Sequence, residues 1–176
     1  MTEKTTLKWV KDNLSAIIKK SIADSKTNYT EEILAGMCMR ETGILIMRYP
    51  TIPFVNVCQV MKGDYGQRQK DKEKIYHGFS FWQIDIDSFP DFVKSGDWKD
   101  PYKSCMKAIS VLEGKRKYLA TKSITDLRAI IAAYNCGEGN VTKAIKAGKD
   151  CDTYTYNKDY SKEVVRFSEI YKSLSS

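Results

Sequence analysis

The sequence predicts a mainly helical α+β fold, and three segments carry that expectation: an amphipathic stripe near the start, a helix leading to Glu41, and an aromatic, β-branched run from His77 to Asp87. In the first, Leu7, Val10, Leu14, Ile17, Ile18 and Ile22 share one helical stripe with lysines opposite, so this helix is expected to dock on a core. A membrane-surface role is its minor reading, and the basic start and apolar run of a signal peptide are missing.

In the second segment Thr30 reads as an N-cap, Glu31 and Glu32 fill the first turn, and Gly43 is the expected stop. Leu34, Met37 and Cys38 stand seven, four and three residues before Glu41, so its side chain should leave from the core-facing stripe. Burial would raise its pKa and make it a proton donor near neutral pH, a candidate general acid. Taken alone, a Glu in a last turn beside Arg40 is more often a solvated or ion-paired surface group.

The third segment, His77 to Asp87, reads as a half-buried strand or strand-like turn that delivers carboxylates at its end. If it is extended, Asp85 and Asp87 share a face with Gln83. A later helix begins at Asp126, packs Ala129, Ala132 and Ala133, presents Tyr134 and Asn135, and breaks at Gly137 and Gly139. A hydroxyl and an amide at a helix end suit the orienting of a carboxyl group or the binding of a sugar N-acetyl group.

Five ordered motifs then give a resemblance. Arg40-Glu41-Thr42 looks like the catalytic Arg-Glu-Ser of the goose-type lysozymes and the related soluble lytic transglycosylases. Gly63-Asp64-Tyr65-Gly66 is similar to their Gly-Asp-Arg-Gly, and Gly78 to Asp85 to their Gly-Phe-Gly-Leu-Met-Gln-Val-Asp. Ala132 to Val141, with Tyr134-Asn135, and Asp159 to Val165 match two further family segments, so the likeness runs from about residue 30 to 172. It implies a lysozyme-like fold in which a small antiparallel sheet lines a cleft facing the helices of Glu41 and Tyr134. One domain over residues 1–176 is expected, with residues 1–29 as an amphipathic helix and linker ahead of the family-like core.

The implied reaction is cleavage of the β-1,4 bond between N-acetylmuramic acid and N-acetylglucosamine in peptidoglycan, with Glu41 protonating the glycosidic oxygen. A hydrolase needs a carboxylate across the ring to activate water, and a lytic transglycosylase does not. Asp85 and Asp64 stand where goose-type lysozymes carry such aspartates, which favours an inverting muramidase with Asp85 as base and Asp64 as helper. Asp87 is a reserve, its more probable role being a turn cap before Ser88. Tyr134, Asn135, Gln83, Phe81 and Tyr160 are the expected sugar contacts. A transglycosylase giving anhydro-muramic ends, a chitinase, and a cell-wall binding protein that has lost catalysis are the alternatives.

The chain also departs from the family. The charge-dense stretch from Gln67 to His77 looks longer and reads as an exposed loop. The stretch from Arg48 to Val57 also looks longer, and its two prolines suggest an extended surface excursion. Phe81 and Trp82 replace a Leu-Met pair and are expected at the floor of a sugar subsite.

Composition bounds the rest. With 176 residues and 42% hydrophobic content the chain can bury a substantial core. A formal charge of +7 points to an acidic partner such as peptidoglycan, and the lysines are spread too evenly to suggest nucleic acid. Five cysteines leave at least one unpaired within a single chain. No metal, cofactor or membrane insertion is expected. A Cys–His nucleophile using His77 is a formal alternative, but neither local sequence looks like a thiol hydrolase. A monomer is expected, acting outside the cytoplasm by a signal-independent route or after trimming, with an inhibitor or immunity protein as a possible further partner.

Overall fold

The computed structural model describes residues 2–48 and 51–174, and it is mostly helical with one small antiparallel sheet. Helix α1 (Glu3–Ser25) buries Leu7, Val10, Leu14 and Ile18 completely, so its apolar stripe docks on the core as expected. Helix α2 (Glu31–Arg48) starts as expected, with Thr30 Oγ1 accepting the Ile33 N–H at 3.4 Å. It does not stop at Gly43. Ile46 is 1% exposed and continues the buried stripe beyond the glycine. That burial outweighs the roughly 1 kcal/mol that a mid-helix glycine costs.

Tyr49 and Pro50, part of the expected surface excursion, lie outside the described residues. From Phe54 the excursion reading is corrected: Phe54–Val60 is a short helix, α3, with Pro53 as its N-cap. It buries Val57 and Cys58, an apolar anchor that an extended loop would have left exposed.

Strands β1 (Lys62–Gly66), β2 (Ile75–Phe79) and β3 (Ile84–Asp85) pair antiparallel in sequence order. The segment read as one possible strand is therefore two, broken by a turn in which Ser80 and Gln83 both take positive φ. Gly63 pairs with Gly78, and a Cβ on either would sit 2.1 or 2.3 Å from Gln83 Oε1, so the two glycines form a slot for that amide. Two bonds pin the turn to α2: Trp82 Nε1–H donates to Leu34 O at 3.0 Å, and Thr42 Oγ1–H to Phe81 O at 3.1 Å.

Behind the sheet, α4 (Pro90–Lys94) leads to α5 (Pro101–Ala120). Helix α6 (Leu127–Cys136) is capped by Asp126, whose Oδ2 accepts the Ala129 N–H at 3.0 Å. The chain breaks once, at Gly137 with φ 83°; Gly139 lies inside α7 (Glu138–Lys146). Helix α8 (Tyr160–Lys172) closes the fold against α2. All five cysteines are free, and no described helix is long and apolar enough to cross a membrane.

The contact between α2 and α8 is unusually close. A Cβ built on Gly36 would lie 2.5 Å from Val164 O and 3.1 Å from Ser168 N, both backbone atoms that cannot step aside. Helix propensity alone would make Gly36→Ala stabilising by about 1 kcal/mol. Packing reverses the sign: we expect Gly36→Ala to lose roughly 1–3 kcal/mol in urea unfolding, as overpacked cores do.

Candidate active site

Glu41 leaves α2 from the buried stripe and lines a cleft of about 730 Å³. The residue is half-buried, set against the fully buried Leu34, Met37 and Cys38 of the same stripe. Burial pushes its pKa up to about 7, against the downward pull of a Tyr160 hydrogen bond and of the Arg40 charge. The Tyr160 hydroxyl, from the first turn of α8, donates to Glu41 Oε1. That leaves Oε2 as the oxygen able to carry the acid's proton toward the cleft.

Helix ends position the remaining groups on this wall. Tyr134 donates to Trp82 O at 2.7 Å, tying the end of α6 to the turn between β2 and β3. Asn135 Oδ1 accepts the Tyr156 N–H at 3.0 Å, so the group it has left to offer is its NH₂. Arg40 pairs with Asp159 at 3.0 Å and lies 5.8 and 5.6 Å from the ring centres of Tyr156 and Tyr160. Its Nε is buried with no hydrogen-bond partner among the described residues.

The strands and the turn between β2 and β3 supply Asp64, Gln83 and Asp85, all bordering the same cleft as Glu41. Phe81 does not join them. It is 1% exposed and packs with Trp9 and Phe54 at ring separations of 6.0 Å, while Trp82 is fully buried. The expected subsite floor is therefore core, because the turn sends these two rings inward, toward α1, α2 and α3. The turn cap expected of Asp87 is made by Asp85 instead. Asp85 Oδ2 caps the turn, accepting the N–H and Oγ–H of Ser88 at 2.8 Å each, and Asp87 pairs with Lys70 at 2.9 Å.

Arg68 is the functional-site residue that the sequence did not reveal. It borders the cleft and its guanidinium reaches three carboxylates. Nη1–H donates to Asp85 Oδ1 and Asp87 Oδ2 at 2.6 Å each, and Nη2–H to Asp64 Oδ2 at 2.7 Å. The stretch is largely exposed as expected, but Arg68 and Asp71 turn back onto the sheet. The Arg68 N–H donates to Asp71 Oδ2 at 2.7 Å, and the same oxygen lies 2.7 Å from Nε2 of His77, which is 1% exposed. Burial pushes the His77 pKa down, but the Asp64 carbonyl 3.0 Å from Nδ1 and the Asp71 carboxylate outweigh it and hold the ring above its ordinary value. A run of mixed charges gives no hint of which one turns inward.

Asp150, Cys151 and Asp152 bring potential ligand atoms within 4.8 Å of one another, but the cluster has a cation in Arg128, 3.1 Å from Asp150 and 3.3 Å from Asp152. Asp152 Oδ1 and Oδ2 also accept the N–H and Oγ–H of Ser161 at 2.9 and 2.7 Å, so this is a joint between α8 and the turn at Cys151–Tyr154.

Residues 82–157 match the family model described as the Transglycosylase SLT domain. No curated protein matches the chain. The matched span holds Gln83, Asp85, Tyr134 and Asn135, and it leaves out Glu41, Asp64 and Tyr160. It supports the broad lysozyme-like superfamily of lytic transglycosylases and indicates an activity that cleaves peptidoglycan strands. It does not single out the goose-type lysozymes.

Because burial favours the neutral Glu41 carboxyl, the fold benefits fully below the ordinary value of 4.5 and loses that benefit as pH rises through about 7. The charged form then costs on the order of 3 kcal/mol. Stability of Glu41→Gln relative to the parent should therefore rise by that order between about pH 4 and about pH 8, as read by urea unfolding.

Proposed function

We propose that this chain cleaves the β-1,4 bond between N-acetylmuramic acid and N-acetylglucosamine in peptidoglycan, with Glu41 as general acid, and that it does so as a lytic transglycosylase. The observation that supports the acid is a carboxyl group with a pKa raised to about 7 inside a polar cleft. Glu41 gives its proton to the glycosidic oxygen, the bond to C1 breaks, and the ring gains oxocarbenium character. The muramyl C6 hydroxyl then attacks C1 and returns its proton to the Glu41 carboxylate, leaving a 1,6-anhydro ring. No second carboxylate takes part. Tyr160 fixes the acid's orientation, Gln83 and Tyr134 shape the cleft, and the Asn135 NH₂ is available to a sugar acetamido oxygen.

Hydrolysis by inversion is the second reading, favoured by Asp85 and Asp64 bordering the same cleft as Glu41. Against it stands the geometry at Asp85, whose Oδ1 accepts from Arg68 and whose Oδ2 accepts from Ser88, while Asp64 gives Oδ2 to Arg68. The net charge of +7 suits an anionic wall polymer. Peptidoglycan as substrate would put the reaction outside the bacterial cytoplasm.

Glu41→Gln should abolish release of soluble fragments from purified cell wall while the circular dichroism spectrum stays that of the parent. More than a few per cent of parental activity in the folded variant would remove Glu41 from the role. Mass spectrometry of the parent's products separates the two readings: anhydro-muramic ends are one water lighter than reducing ends, and we expect the lighter set. Chitin set beside cell wall in the same assay tests the substrate.

Tyr160→Phe removes the hydrogen bond that holds the Glu41 pKa down, so the alkaline limb of the activity profile should move to higher pH. An unmoved limb would separate Tyr160 from the acid.

A further inference from the structure

The sheet side of the cleft carries more negative charge than the proposed reaction uses. Asp64, Asp85 and Asp87 come from two strands and a turn, yet their carboxylates converge on one guanidinium, with Lys70 adding a second cation at Asp87. The cluster keeps one net negative charge, enough to favour a developing oxocarbenium ion. Asp85 is engaged on both oxygens, with Arg68 on Oδ1 and the N–H and hydroxyl of Ser88 on Oδ2. Asp64 gives Oδ2 to Arg68 and is mostly exposed.

Arg68 is held there from the backbone outward. Its N–H is fixed by Asp71, which is held in turn by the buried His77, and His77 faces the carbonyl oxygen of Asp64. The circuit returns to the strand on which Asp64 sits. A guanidinium does not lose its proton at any working pH, so it remains a donor to these carboxylates throughout catalysis.

We propose that Arg68 determines which product this cleft makes: by occupying Asp85 Oδ1 while Ser88 occupies Oδ2, it leaves that carboxylate no free oxygen to receive a proton from water, and so leaves the substrate's own C6 hydroxyl as the nucleophile. The proposal rests on Glu41 as the acid, and it makes Arg68 a positioning residue acting through Asp85. When Arg68 is removed, a water between Asp85 and C1 can give its proton to Asp85 while its oxygen bonds to C1. The leaving sugar still takes the Glu41 proton, and the product gains one water.

The test digests purified cell wall with the full chain, Arg68→Ala and Arg68→Gln in water enriched in oxygen-18, and counts reducing and anhydro-muramic ends by mass spectrometry. The parent should give anhydro ends without label. Either variant should raise the ratio of reducing to anhydro ends by roughly tenfold or more, within the hundredfold scale of a positioned base. The new reducing ends should carry the label. Labelled reducing ends dominating for the parent would overturn the proposal, and so would an unchanged ratio or a complete loss of cleavage in folded Arg68 variants. The parent measurement stands even if neither variant folds. Glu41→Gln in parallel keeps the two ideas apart, because cleavage surviving there removes the acid assignment whatever the product ratio at Arg68.

Discussion

The cleft depends on α2 being packed so closely that it cannot relax around its own glutamate. Gly36 brings α8 against its backbone on one side, Trp82 and Thr42 hold the sheet turn on another, and Leu34, Met37 and Cys38 are fully buried. A looser helix would turn the Glu41 carboxyl toward water and recover its hydration. Here the backbone is fixed by its neighbours, so the carboxyl group bears the desolvation, and its raised pKa follows. The acid's chemistry is thus a property of helix packing before it is a property of any cleft residue.

The two sides of the cleft handle charge in opposite ways. Around Glu41 there is one carboxyl group, kept neutral by burial and oriented by a tyrosine that is itself buried. The sheet side instead gathers three carboxylates in partly solvated surroundings around a shared guanidinium, with a lysine at Asp87. One side holds a carboxyl group whose burial favours its protonated form, and the other engages its carboxylates in ion pairs.

What the sequence made legible was whatever depends on local spacing. The Glu41 stripe, the Asp126 cap and the α1 stripe are all set by residues within two or three turns of one another, and each appears in the fold as read. Gly43 misled because stopping a helix there is a local preference of about 1 kcal/mol, and the burial of Ile46 beyond it is a tertiary gain. Phe81 and Trp82 misled for a related reason: aromatic residues near a cleft motif suggest a sugar platform, but the turn sends both rings into the core. Arg68 was out of reach altogether, since its partners Asp85 and Asp87 lie 17 and 19 residues away and meet it only through strand pairing.

The glycine slot around Gln83 also works as a gauge of alignment. Gly63 and Gly78 face each other across β1 and β2, and Gln83 fills the room their missing side chains leave. Sliding either strand by one residue would bring Lys62, Asp64, His77 or Phe79 against Gln83, whose amide would have to leave the slot. The long charged connection between the strands cannot enforce that alignment as a two-residue turn would. The hairpin is therefore measured against an amide belonging to the next turn of the chain. Asp64 and Arg68 are carried by that hairpin, so the charge pattern of the sheet side is fixed by the absence of two side chains.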